Sequence, residues 1–491
     1  MHFIENRILK NQAGVSLFMN FSVRSFLYAG LVLISSLSIA FIIAKGQLIG
    51  GVALIALPFA FGFLIWVFNQ PIVGLYAVIA MSFISNGLIR YLPAPLGLSI
   101  DILLILTLLA LFFQRFETKK WRFLRKNPLL YVVYAWCIFC LLQLLNPEAR
   151  SAEAWFYAMR GMALYLILTV ILGMELLHTP KHLHRFIEIW LTVSCIIALN
   201  GIKQLTIGLD GAENAWLQAG NASTHILHGK LRVFSFYSDA GQFGAAMAHA
   251  GLMALILALG NAPLKKRLLY SAAACVCFYG MAISGTRGAL FVPLAGISAY
   301  LVMVRNFKFL LIGAVLAGCV FGMLKFTYIG QSNYQIQRMR SALDPNDPSL
   351  LVRLENQKKL SSYLSTRPLG GGIGSAGYWG LRFSPNTFLA KTPTDSWYVK
   401  IWAETGIIGL ALHLFMIGFI LIFFFLKIWQ MPQSELRQKL MGLYAGIVGI
   451  SAASYGNQLL GQMPTGTVIY LSIALLYVNT SASFGISKKP I

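Results

Sequence analysis

The groups best suited to chemistry in this chain stand in short polar stretches between long apolar runs. In Ser284-Gly285-Thr286-Arg287-Gly288 a guanidinium lies among small residues and two hydroxyls, those of Ser284 and Thr286. Arginine is a planar, permanently charged fork suited to phosphate oxygens, and flanking glycines permit close ligand approach and anion-binding turns. The plain alternative is an arginine that snorkels to lipid headgroups. Lys230 to Asp239 combine cations, among them Arg232, with a hydroxyl-rich turn and one acid. Arg232 reads as a ligand contact there. Asp239 is either a chemical participant or, with Ser238, the N-cap of the next helix.

Further on, Arg338 and Arg340 precede Asp344-Pro345-Asn346-Asp347-Pro348, followed by Arg353. Two acids so spaced could hold a divalent ion, but Asp and Asn flanked by proline more often make turns, and no metal is expected. Arg367-Pro368-Leu369-Gly370-Gly371-Gly372-Ile373-Gly374 reads as a flexible turn or backbone nest; without a following Lys-Ser/Thr it is no nucleotide loop. The most specific stretch runs from Thr392 through Asp395-Ser396-Trp397-Tyr398 to Glu404-Thr405-Gly406-Ile407-Ile408-Gly409. Asp395 could accept a proton from an acceptor hydroxyl, or with Ser396 it caps the helix that follows. Glu404 falls inside an apolar span, where a carboxylate is costly, so it should face a polar cavity or pair with an arginine.

The remaining polar features point less sharply. His225 and His228 lack an evident third metal ligand, His249 and His413 fit interhelical hydrogen bonds, and Asn457, Gln458 and Gln462 form a polar turn that could touch sugar hydroxyls. The six cysteines lie in apolar runs, where they pack as small hydrophobes.

What must position these groups is a membrane bundle. Of 491 residues, 57% are hydrophobic and 11% charged, which excludes an ordinary soluble domain and a disordered chain alike. Apolar runs near Phe26 to Ala44, Leu48 to Phe68, Pro71 to Ile89, Ser99 to Phe113, Leu129 to Leu145, Gly161 to Leu177 and Phe186 to Leu205 form a first set. A second set lies near Ala240 to Leu259, Leu268 to Ile283, Ala289 to Val304, Phe309 to Leu324, Ile401 to Phe425, Leu440 to Ser454 and Thr465 to Val478. The fold class expected is thus an all-α polytopic membrane protein with about 14 transmembrane helices and one long, helical or irregular extracytoplasmic loop.

The charge, 39 Lys and Arg against 16 Asp and Glu, fits a membrane rather than nucleic acid. A cytoplasmic N-terminus puts every short, strongly basic connection on one side: Arg115 to Lys126, Lys181/Arg185, Lys265 to Arg267, Arg305/Lys308, Lys427 to Lys439 and Lys488/Lys489. The organisation expected is a cytoplasmic segment 1–25, a bundle 26–324 with an outer loop 206–239, a long outer loop 325–400, C-terminal helices 401–480 and a tail 481–491. A connection as long as the second loop implies work outside the membrane. Against the charge rule, the outer segments carry Lys203, Lys230, Arg232, Arg287, Arg338, Arg340, Arg353, Lys358, Lys359, Arg367, Arg382, Lys391 and Lys400, for which an anionic partner is the simplest reason.

In these stretches the chain resembles the bacterial O-antigen ligase and polymerase superfamily of membrane glycosyltransferases. The resemblance rests on Arg232-x-x-Ser235 through Asp239, Ser284-Gly-Thr-Arg287-Gly288, Arg353 with Pro368 to Gly374, and Asp395-Ser-Trp-Tyr398 before Glu404-Thr-Gly406-Ile-Ile-Gly409. It implies a metal-independent, inverting transferase that needs no cofactor. The transferase would move a polyprenyl diphosphate-linked glycan to a lipid or glycan acceptor at the outer face of the bacterial cytoplasmic membrane. The family's arginines that match Arg232 and Arg287 hold the diphosphate, which implies two guanidinium groups in one pocket. Prepositioned cations of this kind stabilise a departing anion more than the ground state. Lipopolysaccharide ligases commonly carry a His just before the Glu-x-Gly-x-x-Gly helix; here Asp395 stands in that segment, and ligase and polymerase both stay open. A lipid-linked oligosaccharide flippase or other transporter is the alternative from another class, since many spans and a cationic cavity also suit translocation.

Overall fold

A computed structural model gives the fold and describes residues 56–483, apart from 93, 117–120, 122–126, 228, 333 and 342–343. Most of it is helix, as apolar runs require: in hydrocarbon each backbone polar group needs a partner within its own segment. Among the described residues, eight helices are long and apolar enough to cross a membrane: Pro71–Leu88, Gly97–Arg115, Pro128–Leu145, Ala152–Leu176, Pro180–Thr206, Ala240–Ala258, Arg287–Val304 and Trp397–Trp429. Leu264–Ile283, Phe307–Phe326, Glu435–Ala453 and Thr465–Ser483 are helices of comparable length where four further spans are expected. The shorter apolar helix Ala56–Asn69 covers part of the expected Leu48 to Phe68. The expected span Phe26 to Ala44, the segment 1–25 and most of the tail lie outside the described residues, as does most of the basic connection between Arg115 and Lys126. Everything below concerns the compact unit from residue 70 onward.

Local chemistry sets the ends. Proline opens the helices at Pro71, Pro128 and Pro180, where its missing N–H costs nothing. Asn127, Thr179, Asp239 and Ser434 each accept from a backbone N–H of the first turn. At the centre lies Ala240–Ala258, buried over almost its whole length. Its alanines and glycines let neighbours approach, as small residues do in membrane bundles. A methyl on Gly244 would overlap the Ser284 hydroxyl, and one on Gly446 of the Glu435–Ala453 helix would overlap the His249 ring. Large side chains such as Ile102, Phe113 and Ile422 remain exposed on other helices, as lipid-facing residues would.

The polar helix ends sort into two sets that match the alternation of spans. In one set, Arg437 donates to the Met303 carbonyl at 2.8 Å, Gln438 to that of Ile256 at 2.6 Å and Arg267 to that of Ala258 at 3.0 Å, while Arg115 pairs with Glu175. In the other, Arg90 reaches the carbonyls of Ser235 and Tyr237 and lies over the rings of Trp216 and Phe234, and Asn86 donates to the Met463 carbonyl at 3.0 Å. Both long connections lie on this second side. The first holds short helices and a hairpin of Ile226–Leu227 with Lys230–Leu231. The second holds the helices Tyr334–Ser341, Pro348–Leu364, Gly377–Phe383 and Phe388–Lys391.

The span expected at Ile401 to Phe425 is more than one straight helix. Trp397–Trp429 breaks at Gly406, whose φ of 68° and ψ of −169° no other residue adopts readily. The glycine-rich turn 368–374 packs directly on that break. Gly371 donates to the Ala403 carbonyl at 3.0 Å and Ile408 to that of Pro368 at 3.3 Å, so the freed backbone groups find partners. Side chains of Gln143 and Asn146 hold the Leu369 carbonyl from the other side, at 3.2 and 2.9 Å. The stretch Pro368 to Gly374 is thus a wedge between helices.

Candidate active site

The site begins at the Ser284–Gly288 turn. Gly285 has φ of 59°, so the chain reverses there. Ser284 donates to the Met281 carbonyl at 2.6 Å and accepts from the Thr286 N–H at 3.1 Å; Thr286 donates to the Ala240 carbonyl at 2.9 Å. Both hydroxyls therefore brace the turn. Arg287, the next residue, points into a cleft of about 280 Å³ lined also by Ser341, Asp347, Arg353, Asp395 and Tyr455. Two guanidinium groups border this cleft, and they are those of Arg287 and Arg353.

Arg232 reaches the same turn from the loop before Ala240–Ala258, but it is not among the residues that line the cleft. Its guanidinium donates to the Thr286 hydroxyl at 3.0 Å and to the Thr224 carbonyl at 3.1 Å. Arg232 and Arg287 thus flank Thr286, on the same turn but not in one pocket. Arg90 fixes the loop that carries Arg232, a role the sequence did not suggest because Arg90 reads as an ordinary interfacial cation.

Within the cleft both arginines are engaged by acids. Arg287 pairs with Asp347, donates to the Ser341 hydroxyl at 3.0 Å and contacts the Ser349 hydroxyl. Asp347 caps the Pro348–Leu364 helix as well, accepting from the N–H groups of Ser349 and Leu350 at 3.0 and 3.1 Å. Burial pushes the Asp347 carboxyl up, but the hydrogen bonds and charge of Arg287 outweigh it and hold the group at about 2. Asp344 accepts from the Asn346 N–H at 2.9 Å, so the Asp344–Pro348 segment makes a turn and a cap. Arg353 lies at 3.1 Å from the Asp395 carboxylate, and both are part-exposed.

Of the other residues singled out in the sequence, Ser396 lines the cleft as well, whereas Asp239, Tyr398 and Glu404 do not. Asp239 caps its helix, accepting from the Gln242 N–H at 2.9 Å and the Ser238 hydroxyl at 2.9 Å. Ser396, and not Asp395, caps the helix that begins at Trp397. Tyr398 donates to the Ser451 carbonyl at 2.7 Å. Glu404 is fully buried beside the backbone N–H groups of Gly374 and Ala376. It has no arginine partner among the described residues, and it lines neither this cleft nor the second cavity described below, which departs from the expected polar cavity or arginine pair. The physical reason is the wedge, whose tightly turned backbone packs against Glu404 and fills the space that a cavity or an arginine would need. His413 accepts from the Trp397 indole at 2.9 Å. His225 is buried, and its neighbour in sequence pattern, His228, lies outside the described residues.

A second cavity, of about 270 Å³, lies against the other face of the same segment, where Trp397 and Lys400 line it. It is bordered by Tyr157, Arg160, Tyr378, Gln458 and Gln462. Arg160 opens a π-helical turn inside Ala152–Leu176 and pairs with Asp101. Insertions of this kind re-aim side chains and are frequent at functional sites. No sequence signal marked Tyr157 or Arg160, because a π-turn leaves no pattern in an apolar run.

Cationic guanidiniums beside a carboxylate, on a turn that small residues keep accessible, form an arrangement able to hold an anion and accept a proton. Residues 271–414 match the family model described as O-antigen ligase, a range that contains Arg287, Arg353 and Asp395. The chain is also 26% identical over 389 residues to a protein of Salmonella muenchen named O-antigen polymerase, covering 74% of this chain and 92% of that relative. Neither match supports the flippase alternative.

Proposed function

With the O-antigen ligase and polymerase superfamily as this chain's family, we propose that it transfers a glycan from a polyprenyl diphosphate carrier to a hydroxyl acceptor. It is a multi-pass membrane glycosyltransferase of ligase or polymerase type, and the cleft faces the outer side of the bacterial cytoplasmic membrane. The observation that carries this reading is the meeting of Arg287, Arg353 and Asp395 in one cleft. The short, strongly basic connections on the opposite side of the bundle support the orientation.

In this reading the diphosphate takes the place that Asp347 holds on Arg287, since a carboxylate and a phosphate offer similar oxygens to a guanidinium. The acceptor hydroxyl attacks the anomeric carbon in line with the departing diphosphate, so the configuration inverts. Its proton passes to Asp395 as the carbon–oxygen bond to the diphosphate breaks and the electron pair leaves on phosphate oxygen. Arg287 and Arg353 then stabilise charge that grows along the reaction, which is the condition for lowering a barrier. No metal is required, because the guanidiniums supply the electrophilic assistance. Arg232 supports the turn from the far side of Thr286 and adds positive potential.

Arg287→Ala tests the proposal. Surface polysaccharide assembly should be lost while the protein inserts and accumulates as before; a normal glycan profile in that variant rejects the reading. The profile of a deletion strain separates the two reaction types. Single repeats on the lipid core mark a lost polymerase, and bare core with accumulated carrier-linked polymer marks a lost ligase.

A further inference from the structure

The second cavity has a composition that neither the diphosphate cleft nor bundle packing accounts for. The rings of Tyr157 and Trp379 stack with centroids 4.8 Å apart and planes 14° from parallel, and Phe383 extends the stack at 5.8 Å from Tyr157. Tyr378 stands edge-on to Trp379 at 4.8 Å and is 67% exposed at the border of the cavity. It belongs to the Gly377–Phe383 helix of the long connection and not to a span, so lipid contact does not explain it. Lys400, Gln458 and Gln462 line the same cavity; the Gln458 amide is held by Thr394 and the Gln462 amide oxygen by the Ser238 hydroxyl at 3.4 Å, which fixes both side chains at its border. Lys400 forms no ion pair among the described residues.

This pairing of groups fits one class of ligand. A sugar ring has C–H faces that lie against the negative face of an aromatic ring, and a rim of hydroxyls that pair with amides and cations. A lipid tail would leave the Lys400 ammonium against hydrocarbon, and a bare anion would have no use for the rings. We infer that the cavity bordered by Tyr157, Tyr378, Trp379, Lys400, Gln458 and Gln462 is a saccharide subsite that holds a pyranose ring. The inference rests on the transfer reading and deepens it, since the sugar would sit on the other face of the segment that carries Asp395. Both the acceptor glycan and the carrier-linked glycan present such rings.

The test uses the full-length protein in lipid nanodiscs, with oligosaccharides released by mild acid from the host's own surface polysaccharide as the probe. Saturation-transfer NMR should show contact on ring C–H protons. Tyr378→Ala should weaken that binding by about tenfold, the effect of losing roughly 1.4 kcal/mol, while Tyr378→Phe, which keeps the ring, should retain it. Because Tyr378 is exposed, its substitution leaves the melting temperature unchanged. Trp379→Ala gives a second reading of the same wall. Carrier-linked glycan added to the sample separates the two sources: competition assigns the subsite to the donor sugar and undiminished contact assigns it to the acceptor, and either result upholds it. Binding unaffected by both alanine variants, or absent from the wild-type protein, overturns it. Arg287→Ala should keep the saccharide contact, so failure of the diphosphate reading would appear separately, in the glycan profile.

Discussion

The Trp397 indole N–H donates to His413 Nε2 at 2.9 Å, although the two residues are sixteen apart in one apolar run. In an unbroken α-helix they would be about 24 Å apart. The chain turns back at Gly406, which lays the first segment, with Trp397 and Tyr398, beside the second. That fold-back presents Asp395 and Ser396 to one cavity and Trp397 and Lys400 to the other.

Gly406 should therefore tolerate no side chain. A methyl there would overlap the Pro368 carbonyl, and the backbone lies in a region reserved for glycine. Gly406→Ala should cost about 3 kcal/mol or more, read as a lowered thermal midpoint in detergent together with loss of surface glycan. Gly418→Ala in the same run meets nothing nearby and should leave both unchanged.

Asp347 competes with any anion for Arg287. Asp347→Asn keeps a side chain able to cap the Pro348–Leu364 helix but removes the charge. The KM for carrier-linked donor should fall severalfold with kcat little changed. A raised KM would mean that Asp347 positions Arg287 for the donor instead of occupying its place.

Asp395→Asn should lower kcat by about 10²- to 10⁴-fold, the usual worth of a general base, with donor binding nearly intact. Equal loss of binding and turnover would mean that the pair with Arg353 is a strut. Arg353→Ala, which removes a cation from the cleft, should weaken donor binding and turnover together.

The Arg287–Asp347 pair should also be indifferent to pH over the working range. The Asp347 carboxyl is depressed to about 2, below the usual aspartate value of about 3.9. Its contribution is complete above the ordinary value and declines only as pH falls through the depressed one. Hydrogen exchange at the first amides of the Pro348–Leu364 helix, corrected for intrinsic rates, should be the same at pH 5 and pH 8. Opening of that helix start near pH 5 would contradict the pairing.

Much of this molecule was legible in its sequence because the membrane is an undemanding reader. Any sufficiently long apolar run must become a helix, so Ala240 to Leu259 was expected and Ala240–Ala258 found, and Pro71 to Ile89 became Pro71–Leu88. Helices that extend beyond their apolar run were read short: the expected Gly161 to Leu177 begins at Ala152, because residues 152–159 are amphipathic and join the span through a π-turn. The candidate residues were found as types suited to their chemistry, and their pairings were not. Nothing in the order of residues says that Arg287 meets Asp347, or that Arg353 and not Arg232 shares its cleft.

The sequence by itself determined a polytopic helical bundle and the short polar stretches that carry arginine and carboxylate. These follow from local hydropathy and charge, which act on each segment separately. Only the tertiary structure decided which guanidinium borders which cavity, that the glycine-rich turn is a wedge against Gly406, and that aromatic and amide groups from four distant segments close a second cavity. Those outcomes depend on packing between helices far apart in the chain, where a single methyl or one extra residue in a turn changes what can touch.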